Sequence, residues 1–419
     1  MDQHVSATHD GTDAAEKPVA KPQRFRSLDV FRGASVALMI LVNNPGTWSA
    51  MYPPLQHAEW HGCTPTDLVF PFFLFAVGNA LAFVFMRMEN ASTIEVAQRI
   101  ALRTFLIFAI GFLLNLFPFV RWDDAGELAF KSLEHCRIFG VLQRIALSFG
   151  GAATLVWLLG RDGKTRGVLI ATAILLVGYW IACIMLGDAT DPYSLEGFIG
   201  TKLDRALLGE SHLYHGEGVP FDPEGLFSTI PGIAQVMIGW VVGQMMLRSE
   251  KNLALVGRLM LVGVHLLLIA YLWQLTFPLN KKIWTSSFVL HTCGLATLVL
   301  ASINYWMEVP AGESPNFPRI SSAARSLLGG LFRFFEVFGK NPLFIFVFSA
   351  VVVKLLALFR WHPEGSDRWT SPLPWLYGNF FRWDDVDPRL GSFLFSVCLL
   401  AVYWLIVALM DRRKIYIRV

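Results

Sequence analysis

Between Met51 and Pro71 the chain reads MYPPLQHAEWHGCTPTDLVFP, which gathers His57, Glu59, His61 and Asp67 into one short stretch. Two histidines four residues apart suggest a metal pair. The pattern is not HExxH, Pro53 and Pro54 oppose a helix here, and no third ligand is in view, so no metal is expected. What remains is proton chemistry. An imidazole can act as a general base near neutrality, which makes His57 and His61 the candidates, with His212 and His215 behind them. Asp67 would either fix which ring nitrogen of a histidine is free or, as an acid in a first turn after Thr64, cap the helix that follows.

Other polar groups sit beside or inside apolar runs. A charge at bilayer depth costs several kcal/mol unless it is paired or hydrated, so each is a functional candidate. Asp29 and Arg32 in SLDVFRG are three apart on one helical face and can pair. Asn43 and Asn44 close the same run before Pro45-Gly46; Asn44 reads as a cap and Asn43, one position deeper, as a candidate hydrogen-bond donor. Arg137 and Arg144 in RIFGVLQRIA are seven apart, so one helix would bring both to the same face. Arg144, deeper in the run, needs an anionic partner, and phosphate or pyrophosphate suits a guanidinium.

The elements that must carry these groups are membrane helices. Of 419 residues, 54% are hydrophobic and 16% charged, and the mean hydropathy is +0.49. That is an integral membrane composition. The net charge of +3 is small and no basic, aromatic-interleaved patch occurs, so nucleic acid is not an expected partner. Ten runs reach spanning length, near 28–45, 66–88, 98–118, 137–159, 166–187, 227–247, 252–275, 283–306, 341–360 and 390–410. The expected fold is therefore an all-α polytopic membrane protein of about ten transmembrane helices. The amphipathic segment 325–340 reads as an interfacial helix leading into the ninth span.

Lysine and arginine set the orientation. Arg24 and Arg26, Arg87 and Arg99, Arg161 to Arg166, Arg248 and Lys251, Arg319 and Arg325, and Arg412 to Lys414 recur at every second connection. This predicts cytoplasmic N and C termini, with the loops 45–66 and 187–226 on the other side. Residues 1–23 are polar and read as a disordered cytoplasmic tail, with 24–419 as one transmembrane domain. Five scattered cysteines form no metal spacing and no evident disulfide framework. No GxSxG elbow, Walker loop or Rossmann fingerprint is present, and no internal repeat supports a transporter built of inverted halves. Long apolar faces would permit a homodimer, which composition does not fix.

Six ordered motifs, RSLDVFRGASVALMILVNNPG, LQHAEWHGCTPTDLVFPFFLFAVG, RIFGVLQRIA, FDPEGLFSTIPGI, PLNKKIWTSSFVL and GKNPLFIFVFS, followed by RRKIYI, make the chain from about Arg26 onward resemble the transmembrane domain of heparan-α-glucosaminide N-acetyltransferase and its bacterial DUF5009 or NagX-like relatives. The resemblance implies an acyltransferase that moves an acetyl group from cytoplasmic acetyl-CoA to the amino group of a glucosamine-type sugar across a bacterial inner membrane. It implies His57 as base or transient acetyl acceptor, with Asn43 and Asp67 beside it. Arg144, Arg137 and Asn341 are expected cofactor contacts, and Glu224, Trp60 and His61 expected substrate contacts. The separate soluble domain of the lysosomal enzyme has no counterpart, so glucosamine or a cell-wall amino sugar is the expected acceptor in place of heparan sulfate. The competing expectation is a proton-coupled amino-sugar transporter using His57, Asp67 and Glu224.

Overall fold

The computed structural model describes residues 24–123, 125–160, 164–310, 322–365 and 367–417. The expected tail over 1–23, and Arg161 and Arg319 of the charge argument, lie outside the described residues. Helices dominate: α1 (Arg26–Asn43), α2 (Val69–Arg87), α3 (Thr93–Leu116), α4 (Val141–Leu159), α5 (Thr165–Leu186), α6 (Ile199–Leu208), α7 (Thr229–Leu247), α8 (Leu253–Trp273), α9 (Ser286–Glu308), α10 (Ser322–Lys340), α11 (Pro342–Leu356), α12 (Pro372–Phe380) and α13 (Pro388–Arg412). One small antiparallel hairpin, β1 (Val120–Trp122) with β2 (Leu128–Phe130), pairs Val120 with Phe130 between α3 and α4.

Among the described residues, eight helices (α2, α3, α4, α5, α7, α8, α9 and α13) are long and apolar enough to cross a membrane, and the pair α10–α11, bent by 82°, makes nine if counted as one span. The tenth expected span is α1, whose 18 residues carry Arg26, Asp29 and Arg32. Those charges are paired: Arg26 donates to Glu336 at 2.7 Å, and Arg32 donates to Asp29 at 2.7 Å and to the carbonyl of Gly339 at 2.9 Å. The segment expected to lie at the interface is more deeply built in than its amphipathic pattern implies. Its C-terminal half packs on α1, where a Cβ at Gly33 would stand 1.8 Å from the Phe335 carbonyl, while Leu327 near its start stays exposed.

Side-chain caps open several helices, Ser92 for α3, Asn252 for α8 and Thr285 for α9 each accepting an N–H from the first turn. Helices α2 and α7 meet backbone to backbone: a Cβ at Gly78 would lie 2.0 Å from the Val236 carbonyl and one at Gly239 2.2 Å from that of Phe75. Such small-residue contacts are how helices gain packing where lipid supplies no hydrophobic drive. Because the chain alternates direction, the N-terminal ends of α2, α4, α7 and α9 gather at the same end as the C-terminal end of α1. The loops at that end carry His57, His61 and Asp67, and Arg137 precedes α4 there.

Candidate active site

Pro53–Leu55 and Pro65–Leu68 form single 3₁₀ turns on either side of His57. In the second turn Asp67 is 1% exposed and its Oδ2 accepts the main-chain N–H of Thr64 (3.0 Å) and of Ala58 (3.1 Å). Its Oδ1 faces His57 Nδ1 at 2.7 Å. One Asp67 oxygen thus caps the turn while the other meets the histidine. The His57 ring is 48% exposed, held by Asp67 at one edge.

Lysine 281, in the connection between α8 and α9, completes the group. Its Nζ lies 3.4 Å from Asp67 Oδ1 and 3.0 Å from His57 Nδ1. One ring nitrogen cannot donate to a carboxylate and accept from an ammonium at once. The shorter, anionic partner favours Nδ1 carrying the proton toward Asp67, which makes Nε2, with Lys281 Nζ at 3.5 Å, the basic nitrogen of the neutral ring. Burial pulls the Lys281 ammonium below its ordinary range, against the charges of Asp67 and Glu224. Cys63, in the same loop, has its thiol pushed up to about 12 by burial and by Asp67, with Lys281 opposing.

A second group lies alongside. Arg137 donates to both oxygens of Asp222 (2.9 and 2.7 Å) and to Glu224 at 2.5 Å. Helix α4 starts only at Val141, after Gly140 in extended backbone. Arg137 therefore precedes the helix, and the expectation of two arginines on one helical face is corrected. Both still reach the same strip of chain: Arg144, 0% exposed, donates to Ser228 Oγ and to the Gly225 carbonyl, and its guanidinium lies over Trp284. Its Nε and Nη1 have no hydrogen-bond partner among the described residues.

Trp60 and His61 border the histidine loop. Trp60 donates to the Tyr193 carbonyl at 2.9 Å, and His61 Nδ1 is 3.4 Å from Asn280 Nδ2. Burial draws the His61 imidazole below its usual range, with Asp191 opposing. Lys282 donates to the Glu59 carbonyl (2.7 Å) and to Glu217 (2.5 Å), tying this loop to the α5–α7 insertion. His212 and His215 meet the carbonyls of Cys136 and Leu213. Among the described residues no three His, Cys, Asp or Glu side chains form a metal-holding group.

Two expected site residues stand apart. Asn43 is exposed and lines a cavity beside α11, α12 and α13, with no hydrogen bond to His57 or Asp67 among the described residues. Asn341 donates to the Ile415 carbonyl at 3.0 Å and accepts the Ile417 N–H at 2.8 Å, so its amide fastens the C-terminal segment. Asn44 does cap, donating to the Ile40 carbonyl at 2.6 Å. Lys281 was not among the expected residues, although a signal existed. The pair Lys281-Lys282 falls in a connection assigned to the non-cytoplasmic side, where the charge bias disfavours lysine.

A family model described as a domain of unknown function, DUF5009, matches residues 24–161. That region holds His57, Asp67, Arg137 and Arg144. Heparan-α-glucosaminide N-acetyltransferase of Homo sapiens is 28% identical over 337 residues, covering 67% of this chain and 48% of its own length. The Mus musculus protein of the same name is 26% identical over 321 residues, covering 64% and 46%. The chain spans about half the length of these curated relatives.

Proposed function

We propose that this chain, similar over residues 24–161 to the DUF5009 family and over about two-thirds of its length to proteins named heparan-α-glucosaminide N-acetyltransferase, transfers an acetyl group from acetyl-CoA to the amino group of a glucosamine-type sugar across a bacterial inner membrane. The arginine- and lysine-rich end of the bundle is read as cytoplasmic. The opposite end, with His57, is where the sugar is acetylated.

The observation that carries this reading is the pairing of His57 with Asp67, which leaves Nε2 unprotonated at the mouth of the helix bundle. The sugar nitrogen forms a bond to the thioester carbonyl carbon, the C–S bond breaks, and the proton lost by nitrogen passes through His57 Nε2 to the departing thiolate. In the two-step variant Nε2 holds the acetyl group before the amine takes it. Asn43, in a separate cavity, stays outside this constellation. Arg137 and Arg144 stand at the His57 end, and Arg137 is already filled by Asp222 and Glu224. Both are therefore moved from the expected phosphate contacts of acetyl-CoA to the acyl and acceptor end. There the unpartnered Nε and Nη1 of Arg144 suit an oxygen of either substrate. Asn341 is withdrawn as a cofactor contact because its amide is spent on the C-terminal segment.

The test is acetyl transfer by purified His57→Ala, whose half-exposed side chain should be dispensable for folding. A fall of about 10²–10⁴-fold is expected from loss of acid–base assistance; undiminished transfer, or sugar uptake into liposomes that needs no acetyl-CoA, would overturn the reading. Labelling with radioactive acetyl-CoA in the absence of acceptor separates the one-step from the two-step course.

A further inference from the structure

A lysine and the candidate histidine share one carboxylate at this site. Lys282 has Glu217 to itself at 2.5 Å, whereas Lys281 has only the Asp67 oxygen that also faces His57. The arrangement is rigidly specified. Asn280 is fully buried; its Oδ1 accepts the Ile283 N–H at 3.0 Å and its own N–H donates to Thr285 Oγ1 at 3.1 Å. Trp284 adopts a φ of 52°, a left-handed conformation that a bulky residue keeps only where its surroundings over-determine it. Its indole N–H is tied to Gln235 Oε1 at 3.0 Å. A loop fastened this firmly holds the Lys281 Nζ within 3.0 Å of His57 Nδ1 and 3.5 Å of Nε2.

We propose that Lys281 is a positioning residue that opposes proton uptake by His57, by placing an ammonium against its ring and sharing Asp67 with it. With Lys281 charged, Asp67 is already compensated, and a proton arriving at Nε2 would place a second positive charge within contact distance of the first. The other charged groups around the ring leave this balance intact. Glu59 lies exposed in the same loop, Lys282 is neutralised by Glu217, and Glu224 is engaged by Arg137. Proton uptake by His57 is what either transfer course must delay until the amine arrives. That catalytic consequence rests on the acetyl-transfer reading, but control of the ring's charge does not.

The experiment uses ethoxycarbonylation by diethyl pyrocarbonate, which attacks only the unprotonated imidazole. The detergent-solubilised full chain is labelled at pH values from about 5 to 8 and the peptide carrying His57 is quantified by mass spectrometry. Lys281→Met and Lys281→Gln should move the midpoint for His57 upward by about one pH unit, a tenfold loss of neutral ring below it, while Lys281→Arg holds it in place. His61, read in the same digest, should keep its midpoint in every variant. A His57 midpoint unmoved in both uncharged variants, an equal shift in Lys281→Arg, or His57 and His61 shifting together as local unfolding would make them, overturns the proposal. In active protein the acid limb of kcat/KM should move with the label. An absence of transfer activity alongside the expected labelling shift would sink the acetyltransferase reading alone.

Discussion

His57 Nδ1 and Asp67 Oδ1 meet at 2.7 Å across ten residues of chain, while the other oxygen of the same carboxylate caps the turn that leads into α2. The side chain that orients the candidate base is thus built into the start of a membrane helix. Movement of that helix end would move the imidazole with it.

Replacing Asp67 by Asn separates the two duties. The amide oxygen can still accept the cap N–H groups, but its NH₂ would face Nδ1 and favour the other tautomer, which puts the proton on Nε2. Transfer should fall by about 10²–10⁴-fold in kcat, with unfolding stability reduced by about 1–3 kcal/mol for the lost charged hydrogen bonds. Steady-state kinetics and thermal unfolding on one preparation measure both, and retained kcat would refute the orienting role.

Arg137 bridges two carboxylates, one of them fully buried. Removing one partner of a buried pair leaves an uncompensated charge, at about 3–5 kcal/mol. Arg137→Met should lose that much in denaturant unfolding. Adding Asp222→Asn should recover a large part, since the two residues share one interaction; additive losses would contradict the coupling.

Asp204, in α6, is 3% exposed and one of its oxygens accepts the Leu226 N–H at 3.1 Å. Burial pushes its carboxyl up to about 6, with Asp222 adding to the effect and the Leu226 bond and Arg144 opposing it. An acid whose folded value exceeds its unfolded value of about 3.9 binds protons more tightly in the folded state. Stability from this group is therefore greatest below about pH 4, declines as pH rises to about 6 and is flat above, a change on the order of 2–3 kcal/mol. Asp204→Asn should flatten that stretch of the stability–pH curve.

The α2–α7 contact admits no side chain at Gly239, where a Cβ would stand 2.2 Å from the Phe75 carbonyl. Gly239→Ala should cost about 1–3 kcal/mol through forced backbone separation. Gly257 in α8 has nothing within 4 Å of its missing Cβ. Gly257→Ala should be neutral or gain a few tenths, because alanine is the better helix former. A thermal unfolding series in one detergent compares them.

Asn341→Ala removes both bonds to the C-terminal segment. Faster carboxypeptidase trimming past Ile415 is expected, with acetyl-CoA binding unchanged. Weakened acetyl-CoA binding with an intact tail would restore the cofactor role withdrawn above.

Hydropathy determined the helices, because a run of about 20 apolar residues has no other way to satisfy its backbone in lipid. The expected spans fall within a few residues of the observed ones at nearly every end. The Asp29–Arg32 pair and the Asn44 cap were equally legible, since both are local and spacing on a helix sets contact. His57 and Asp67 could be named from one stretch, but not their bond, which depends on two 3₁₀ turns folding back on each other. Sequence distance hid the rest. Lys281 reaches His57 over 224 residues and Arg137 reaches Asp222 over 85, and Asn341 is claimed by a tail 74 residues away. Which helix ends meet is decided by packing, through close approaches such as Gly78 with Gly239 and Gly33 with Phe335. No one-dimensional pattern records those meetings, and only the assembled bundle sets two lysines of one loop to separate tasks, one neutralised by Glu217 and the other sharing Asp67 with the histidine.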